Sequence, residues 1–383
     1  MNKVKLADIC KILNGYAFKS ANYISKGIRI IRITNVQNGY IEDNSPAFYP
    51  IERKSEIENY LLKKDDLLLS LTGNVGRVAL LPEEMLPAAL NQRVACLRLN
   101  DEKVCDKKFL YYCLNNNSFE RKCICSSKGI AQKNLSTEWL KSYKIELPEI
   151  NIQKKIVDTL DKLNKLIFYR NTQLRLLDDL VKSRFTELFG DPLNPIKSKY
   201  LGDIALLERG KFSPRPRNDP RYYNGKYPFV QTGDIANSNH KLKTYHQTLN
   251  EKGIKVSKQF QEGTVLIALV GATIGATTIL EIPMYAPDSI IGIIVNKKSY
   301  NNIFLELVLQ FWKSKLKQMA PESARANINL NILRKLPIID VDINKQNKYV
   351  DFVQKIDKSK VEIQKSLDKL EMLKKSLMQQ YFG

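Results

Sequence analysis

The chain has 383 residues, and its 61 Lys and Arg against 40 Asp and Glu leave a formal charge of +21. That length corresponds to roughly two to three domains, and a mixture of 43% hydrophobic and 26% charged residues excludes a disordered tail. No run approaches the ~20 apolar residues of a membrane span and the opening MNKVKLADIC lacks a signal peptide's apolar stretch, so a cytoplasmic location with no membrane partner is expected.

In chain order, residues 1–150 read as a mixed α/β block. Asp66 to Leu71 forms a short apolar strand ended by the turn Gly73-Asn74-Val75-Gly76, and residues 107–117 read as helix. From 151 to 187, Ile156, Leu160, Leu163, Ile167, Arg170, Leu174, Leu177 and Val181 alternate steps of four and three, the a/d seam of a coiled coil that Arg170 alone breaks. A second α/β block, about 195–343, repeats the plan with the strand Thr264 to Leu269, the turn Gly271-Ala272-Thr273-Ile274-Gly275 and a helix over 301–318. The last segment carries Val353, Ile356, Ile363, Leu367, Leu370 and Leu377 on the corresponding stripe, with Lys360 and Lys374 where the first has Ile167 and Val181. One narrow apolar seam on so long a helix needs a partner, and the simplest partner is the other seam; a helix of another protein is the alternative.

The repeat is measurable. Residues 134–190 laid over 327–383 without a gap agree at 18 of 57 positions, among them Asn151 with Asn344, Gln153 with Gln346, and Phe189-Gly190 with Phe382-Gly383. Upstream the echoes are shorter: Leu6-Ala7-Asp8-Ile9 with Leu201-Gly202-Asp203-Ile204, SLTGNVGRVA at 70–79 with LVGATIGATT at 269–278, and Phe109-Leu110 with Phe304-Leu305. The charge follows the repeat, since residues 1–190 hold 31 basic and 22 acidic side chains and residues 191–383 hold 30 and 18. A basic excess on both halves fits an extended polyanion, although a Lys-rich composition also arises without one.

Catalytic patterns are missing from the sequence. Neither glycine turn has the Lys of a phosphate loop or the spacing of a dinucleotide fold, so a tight turn needing positive φ is the favoured account of these glycines, against contact with a ligand. Glu120-Arg121-Lys122 has the letters of a nuclease E-x-K but falls in a helix or loop. The six cysteines lie between Cys10 and Cys125 without paired zinc knuckles and read as reduced, buried thiols, and two histidines supply little for a metal site; no metal is expected.

Basic, amide and aromatic side chains cluster instead in predicted loops. In 209–235 these are Arg209, Lys211, Arg215, Arg217 and Arg221, suited to phosphates or guanine, and Gln231, suited to adenine. Lys19, Arg32, Asn35, Gln37, Arg77, Gln92 and Arg93 are the counterparts in the first block, and Asn74, Lys133, Thr273 and Arg325 are further candidates. For each alone, a solvated surface side chain is the competing account.

With Phe189-Gly190-Asp191-Pro192 after the first helix, Thr232-Gly233-Asp234-Ile235 after the basic segment, and Leu147-Pro148 followed by Gln153 at the helix entry, the whole chain resembles the specificity subunit of a type I restriction-modification system. The second copy departs from that entry, with Asp340-Val341 before Gln346. The resemblance implies an α+β chain: two mixed α/β target recognition domains separated by two long antiparallel coiled-coil helices, in a pseudo-two-fold internal repeat. Residues 1–150 and 191–343 would be the recognition domains, 151–190 and 344–383 the spacer helices. It also implies a non-catalytic reader of a bipartite target in double-stranded DNA, with partners: two methyltransferase subunits and restriction/translocase subunits. S-adenosylmethionine, ATP and Mg are then expected on the partners and no cofactor on this chain. An autonomous methyltransferase or nuclease with an unrecognised site, and a helix-mediated RNA-binding or interaction protein, are the competing classes.

Overall fold

The computed structural model describes residues 2–129, 133–320 and 328–383. It divides into two compact units, Met1–Asn171 with Lys365–Gly383, and Thr172–Gln364. Each of the two long helices, Ile150–Phe189 and Ile343–Phe382, therefore contributes one part to each unit.

Among the described residues of the first unit nine strands run β1 (Asn2–Lys5), β2 (Cys10–Asn14), β3 (Ile28–Ile31), β4 (Phe48–Tyr49), β5 (Leu67–Ser70), β6 (Val78–Leu80), β7 (Ala88–Leu90), β8 (Val94–Leu99) and β9 (Lys144–Leu147). They form a four-stranded antiparallel sheet β2-β8-β5-β6, a three-stranded sheet β4-β3-β7 in which β3 and β7 are parallel, and the pair β1-β9. All four side chains of β5 are buried because both faces of its sheet are covered. Alternation then sorts them: Leu67 and Leu69 join the core with Phe109 and Leu110, and Leu68 joins a second core with Ile31, Val94 and Cys96.

Among the described residues the second unit has eleven strands: β10 (Ser198–Tyr200), β11 (Ala205–Arg209), β12 (Tyr223–Phe229), β13 (Lys241–Leu242), β14 (Gln247–Leu249), β15 (Lys258–Phe260), β16 (Val265–Ala268), β17 (Thr277–Leu280), β18 (Met284–Ala286), β19 (Ile290–Val295) and β20 (Pro337–Ile339). Its sheets are β11-β19-β16-β17-β13, β14-β12-β18-β15 and β10-β20. Removing the added edges β13 and β15 leaves the strand order of the first unit, including the parallel pair β12 and β18. Val265, Ile267 and Leu269 fall in one core, Leu266 and Ala268 in another, as β5 does.

The glycine turns are structural, as the sequence favoured. Gly76 and Gly275 adopt φ of +85° and +77°. A Cβ on Gly76 would lie 2.8 Å from the Cys123 Cβ, and one on Gly275 would lie 3.0 Å from the Lys313 Cα, so in both units a helix packs directly on this turn. Glu120 to Lys122 lies on the helix Asn117–Ser126, the wrong setting for a nuclease carboxylate. Cys10, Cys96, Cys105 and Cys123 are buried free thiols, and burial pushes Cys10, Cys105 and Cys123 up to about 12. Cys125 is exposed, against the expectation of burial.

Within each unit the long helices run antiparallel. In the first, Ile156, Val157 and Leu160 share a core with Leu377, Met378 and Phe382. In the second, Tyr349 Oη donates to the Val181 carbonyl at 2.8 Å, and Lys360 pairs with Asp178 at 2.5 Å. The seam has the expected residues: Ile156, Leu160, Leu163, Val181, Val353 and Leu367 are buried, while Ile167, Leu174, Leu177, Ile356, Ile363, Leu370 and Leu377 are half-buried. Lys360 also lies buried on it. The first helix runs two residues past the predicted end because Phe185 continues the seam and, with Phe189, stacks on Phe304 and Tyr349.

Candidate nucleic-acid interface

Backbone hydrogen bonds gather the candidate loops of the first unit along one rim. Tyr16 N donates to the Leu90 carbonyl, Gln92 N to Tyr16, Asn91 N to Ile31, Leu71 N to Arg93, and Gly73 N to Lys133. Segments far apart in sequence, at 16–19, 31–37, 71–77, 91–93 and 133–135, therefore share an edge. Their approach is close enough at Gly15 that a Cβ there would sit 2.2 Å from the Asn91 carbonyl carbon.

On this rim Arg77 Nη1 donates to Gln37 Oε1, and Asn74, with its amide oxygen turned toward Arg77, accepts from both terminal guanidinium nitrogens at 3.2 and 3.3 Å. Gln37 Nε2 holds the Thr34 carbonyl at 2.9 Å. The result is an amide-flanked guanidinium, with its planar donor edge oriented by neighbours rather than by rotamer chance. Lys19, Gln92, Arg93 and Lys133 are exposed, and Arg32 reaches the carbonyl of Ser45. Asn35 is a correction. It is buried, its Oδ1 accepts from Arg32 N at 2.9 Å and its Nδ2 donates to the Glu42 carbonyl at 2.8 Å, so it shapes the turn and has no free edge to offer a base.

The second unit builds the same rim. Gly210 N donates to Ile290, Lys211 N to Ala286, Val230 N to Tyr285, Leu269 N to Ser289, and Ile328 N to Leu269. A Cβ on Gly210 would meet the Pro287 oxygen at 2.2 Å, the counterpart of Gly15 against Asn91. Arg209, Arg215 and Arg217 converge on Asp288: Arg209 Nε donates to its carbonyl at 2.6 Å, Arg217 Nη2 to Oδ1 at 2.6 Å, and Arg215 Nη2 lies 3.5 Å from Oδ2. Lys211 is exposed, and Gln231 Nε2 donates to Gln247 Oε1 at 2.9 Å.

Two further candidates are placed differently. Arg221 forms a forked pair with Asp219, which holds that carboxyl below its ordinary range, and no contact joins it to the Asp288 group among the described residues. Thr273 spends its hydroxyl on the Val270 carbonyl at 2.9 Å, a turn-stabilising role. Arg325 lies outside the described residues.

Sequence reasoning missed Asp288. The signal was present, because laying AALNQRVAC at 88–96 over MYAPDSIIG at 284–292 puts Asp288 opposite the candidate Gln92, and the strands β7-β8 and β18-β19 occupy equivalent places. It was hidden because the arginines it binds lie 71 or more residues away.

Behind each rim a helix anchors a turn through side chains one helical turn apart. In the first unit Asn115 Nδ2 donates to Tyr111 Oη, which donates to the carbonyl of Gly39, φ +90°. In the second, Gln310 Nε2 donates to the buried Glu306, which also accepts from Thr277 and faces Nδ1 of His240, φ +63°, at 3.0 Å. Burial disfavours the imidazolium, but the hydrogen bond and charge of Glu306 outweigh it and raise the His240 pKa above its ordinary value.

Comparison with known proteins places these units. The chain is 30% identical over 168 residues to the type I restriction enzyme MjaVIII specificity subunit of Methanocaldococcus jannaschii, covering 43% of this chain and 39% of that protein. It is 31% identical over 188 residues to the EcoAI specificity subunit of Escherichia coli, covering 46% and 32%. The chain thus matches about a third to two-fifths of the length of these relatives. Over its full length it shares the fold of the type I restriction-modification S subunit from M. genitalium, with TM-score 0.60, 17% identity and 96% of that chain covered. It likewise shares the fold of a chain from a structure addressing complex assembly and conformational transition of the type I R-M system, with TM-score 0.62, 16% identity and 97% covered. The family model of the type I restriction modification DNA specificity domain matches twice, at residues 1–176 and 195–374, once for each rim-bearing repeat, and the chain therefore belongs to that family.

Proposed function

We propose that this chain is the non-catalytic, sequence-reading subunit of a type I restriction-modification complex, each rim reading one half of a bipartite target in double-stranded DNA. One observation carries the reading. The two units hold one strand order and one backbone rim while the side chains at equivalent rim positions differ, Gln92 against Asp288 and Arg77 against Ala276. A constant frame with exchanged polar side chains suits a protein that reads different bases with one scaffold.

In this reading the charge supplies affinity and register through phosphates, and the rim side chains supply choice. The long helices set the spacing of the half-sites and dock two methyltransferase subunits. S-adenosylmethionine belongs to those subunits, ATP and Mg to restriction subunits, and this chain works in the cytoplasm. No helix among the described residues is long and apolar enough to cross a membrane. Methylome sequencing of cells with and without the gene tests the proposal: loss of one bipartite methylated motif is expected, and an unchanged methylome overturns it.

A further inference from the structure

The arginine group around Asp288 poses an electrostatic question. A surface that binds phosphates gains nothing in attraction from a carboxylate placed between Arg215 and Arg217, and exposed ion pairs of this kind contribute little to folding. What the carboxylate does supply is orientation. Arg217 is bound at both ends, its guanidinium on Asp288 and its carbonyl by the Tyr223 hydroxyl, and Arg215 donates Nη1 to the carbonyls of Phe212 and Pro214 at 3.0 and 2.8 Å. Both arginine side chains remain about half exposed, at 49% for Arg217 and 57% for Arg215, so each is held without being hidden.

We propose that Asp288 is a positioning and specificity-determining residue of the second unit: its carboxylate fixes Arg215 and Arg217 as a fork for the edge of guanine, from the rim position that Gln92 holds in the first unit. A guanidinium already fixed in plane loses less freedom when it makes a bidentate contact, and such a contact discriminates strongly against other bases. A loose arginine at the same place would still bind phosphates but would no longer choose. Affinity and selectivity are therefore expected to separate on removal of the carboxylate. This inference rests on the DNA-reading function proposed above.

The test uses the full chain assembled with its methyltransferase subunits, the motif having first been read from the methylome. Binding is measured to the cognate duplex, to duplexes with single base-pair substitutions in each half, and to unrelated duplex. For Asp288→Asn, discrimination at one or two adjacent G·C pairs in one half-site is expected to fall by about tenfold or more. Binding to unrelated duplex should hold or tighten, and the other half-site should be read as before. Arg217→Lys, which keeps the charge and loses the fork, should reproduce the loss of discrimination, and it decides the matter if Asp288→Asn does not fold. Undiminished discrimination in either variant, or equal loss at both halves, overturns the proposal. A wild-type complex that binds every duplex alike instead sinks the DNA-reading function itself.

Discussion

Gln153 and Gln346, 193 positions apart, make the same three hydrogen bonds, each inside its own unit. Gln153 Oε1 accepts from Asp106 N at 2.8 Å, and its Nε2 donates to the carbonyls of Val104 at 3.0 Å and Pro148 at 2.7 Å. Gln346 accepts from Asn301 N at 2.9 Å and donates to Ser299 at 3.1 Å and Val341 at 2.7 Å. The helix entry thus tolerates Leu147-Pro148 in one copy and Asp340-Val341 in the other, because the acceptor is a backbone carbonyl that either residue provides.

Replacing either glutamine by Leu strands a buried N–H and two carbonyls. Gln346→Leu is expected to destabilise the second unit by about 2–4 kcal/mol, and Gln153→Leu the first by a similar amount. Urea unfolding checks this. A loss below about 0.5 kcal/mol would mean water replaces the amide at no cost.

Lys360 on the helix seam predicts an asymmetry. It is buried while its partner Asp178 is 55% exposed, so Lys360→Ile, which installs the residue type of Ile167, leaves a carboxylate that water can solvate. Stability should be unchanged or rise by about 1–2 kcal/mol. Asp178→Ala instead leaves the ammonium buried with Asp357 at 3.9 Å as its carboxylate among the described residues and should cost about 1–2 kcal/mol. Thermal melts of the two variants should move in opposite directions or not at all for the first.

The His240–Glu306 pair gives the second unit a pH-dependent contact at the place where the first has Tyr111 and Asn115. Since the folded pKa is raised above the ordinary value of 6.5, the stabilisation is full below that value and disappears as pH rises through the folded pKa. Stability contributed by this pair should therefore decline on going from mildly acidic to alkaline buffer. His240→Asn, which tolerates the positive φ, should remove that slope; chemical denaturation at several pH values checks it.

Duplex binding should weaken steeply with salt. If six to ten phosphates are contacted, the affinity falls by roughly 10³–10⁵ between 50 and 200 mM salt. A salt titration that stays flat would exclude phosphate-dominated binding.

Much of this architecture was legible because it is written locally. The seam residues recur at helical spacing, Leu67 to Leu69 and Val265 to Ala268 are unbroken apolar runs, and Leu6 to Ile9 and its echo at Leu201 to Ile204 both became single helical turns. The candidate site was legible only in part. Arg77 and Gln37 were named separately and proved to be partners, whereas Asn35 and Thr273 looked available because composition does not reveal that a side chain is already bonded to its own turn.

By itself the sequence determined that the chain is two copies of one plan, each with a basic α/β block and a long amphipathic helix, since repeat, charge and periodicity are properties of residue order. Tertiary structure alone decided which parts of the two helices each unit packs, and that Asp288 meets Arg209 at the end of β11 and Arg215 and Arg217 in the segment after it, 71 or more residues away. Such contacts follow from sheet register and long-range backbone hydrogen bonds, in which partners are chosen by the packing of the whole unit and not by their neighbours in the chain.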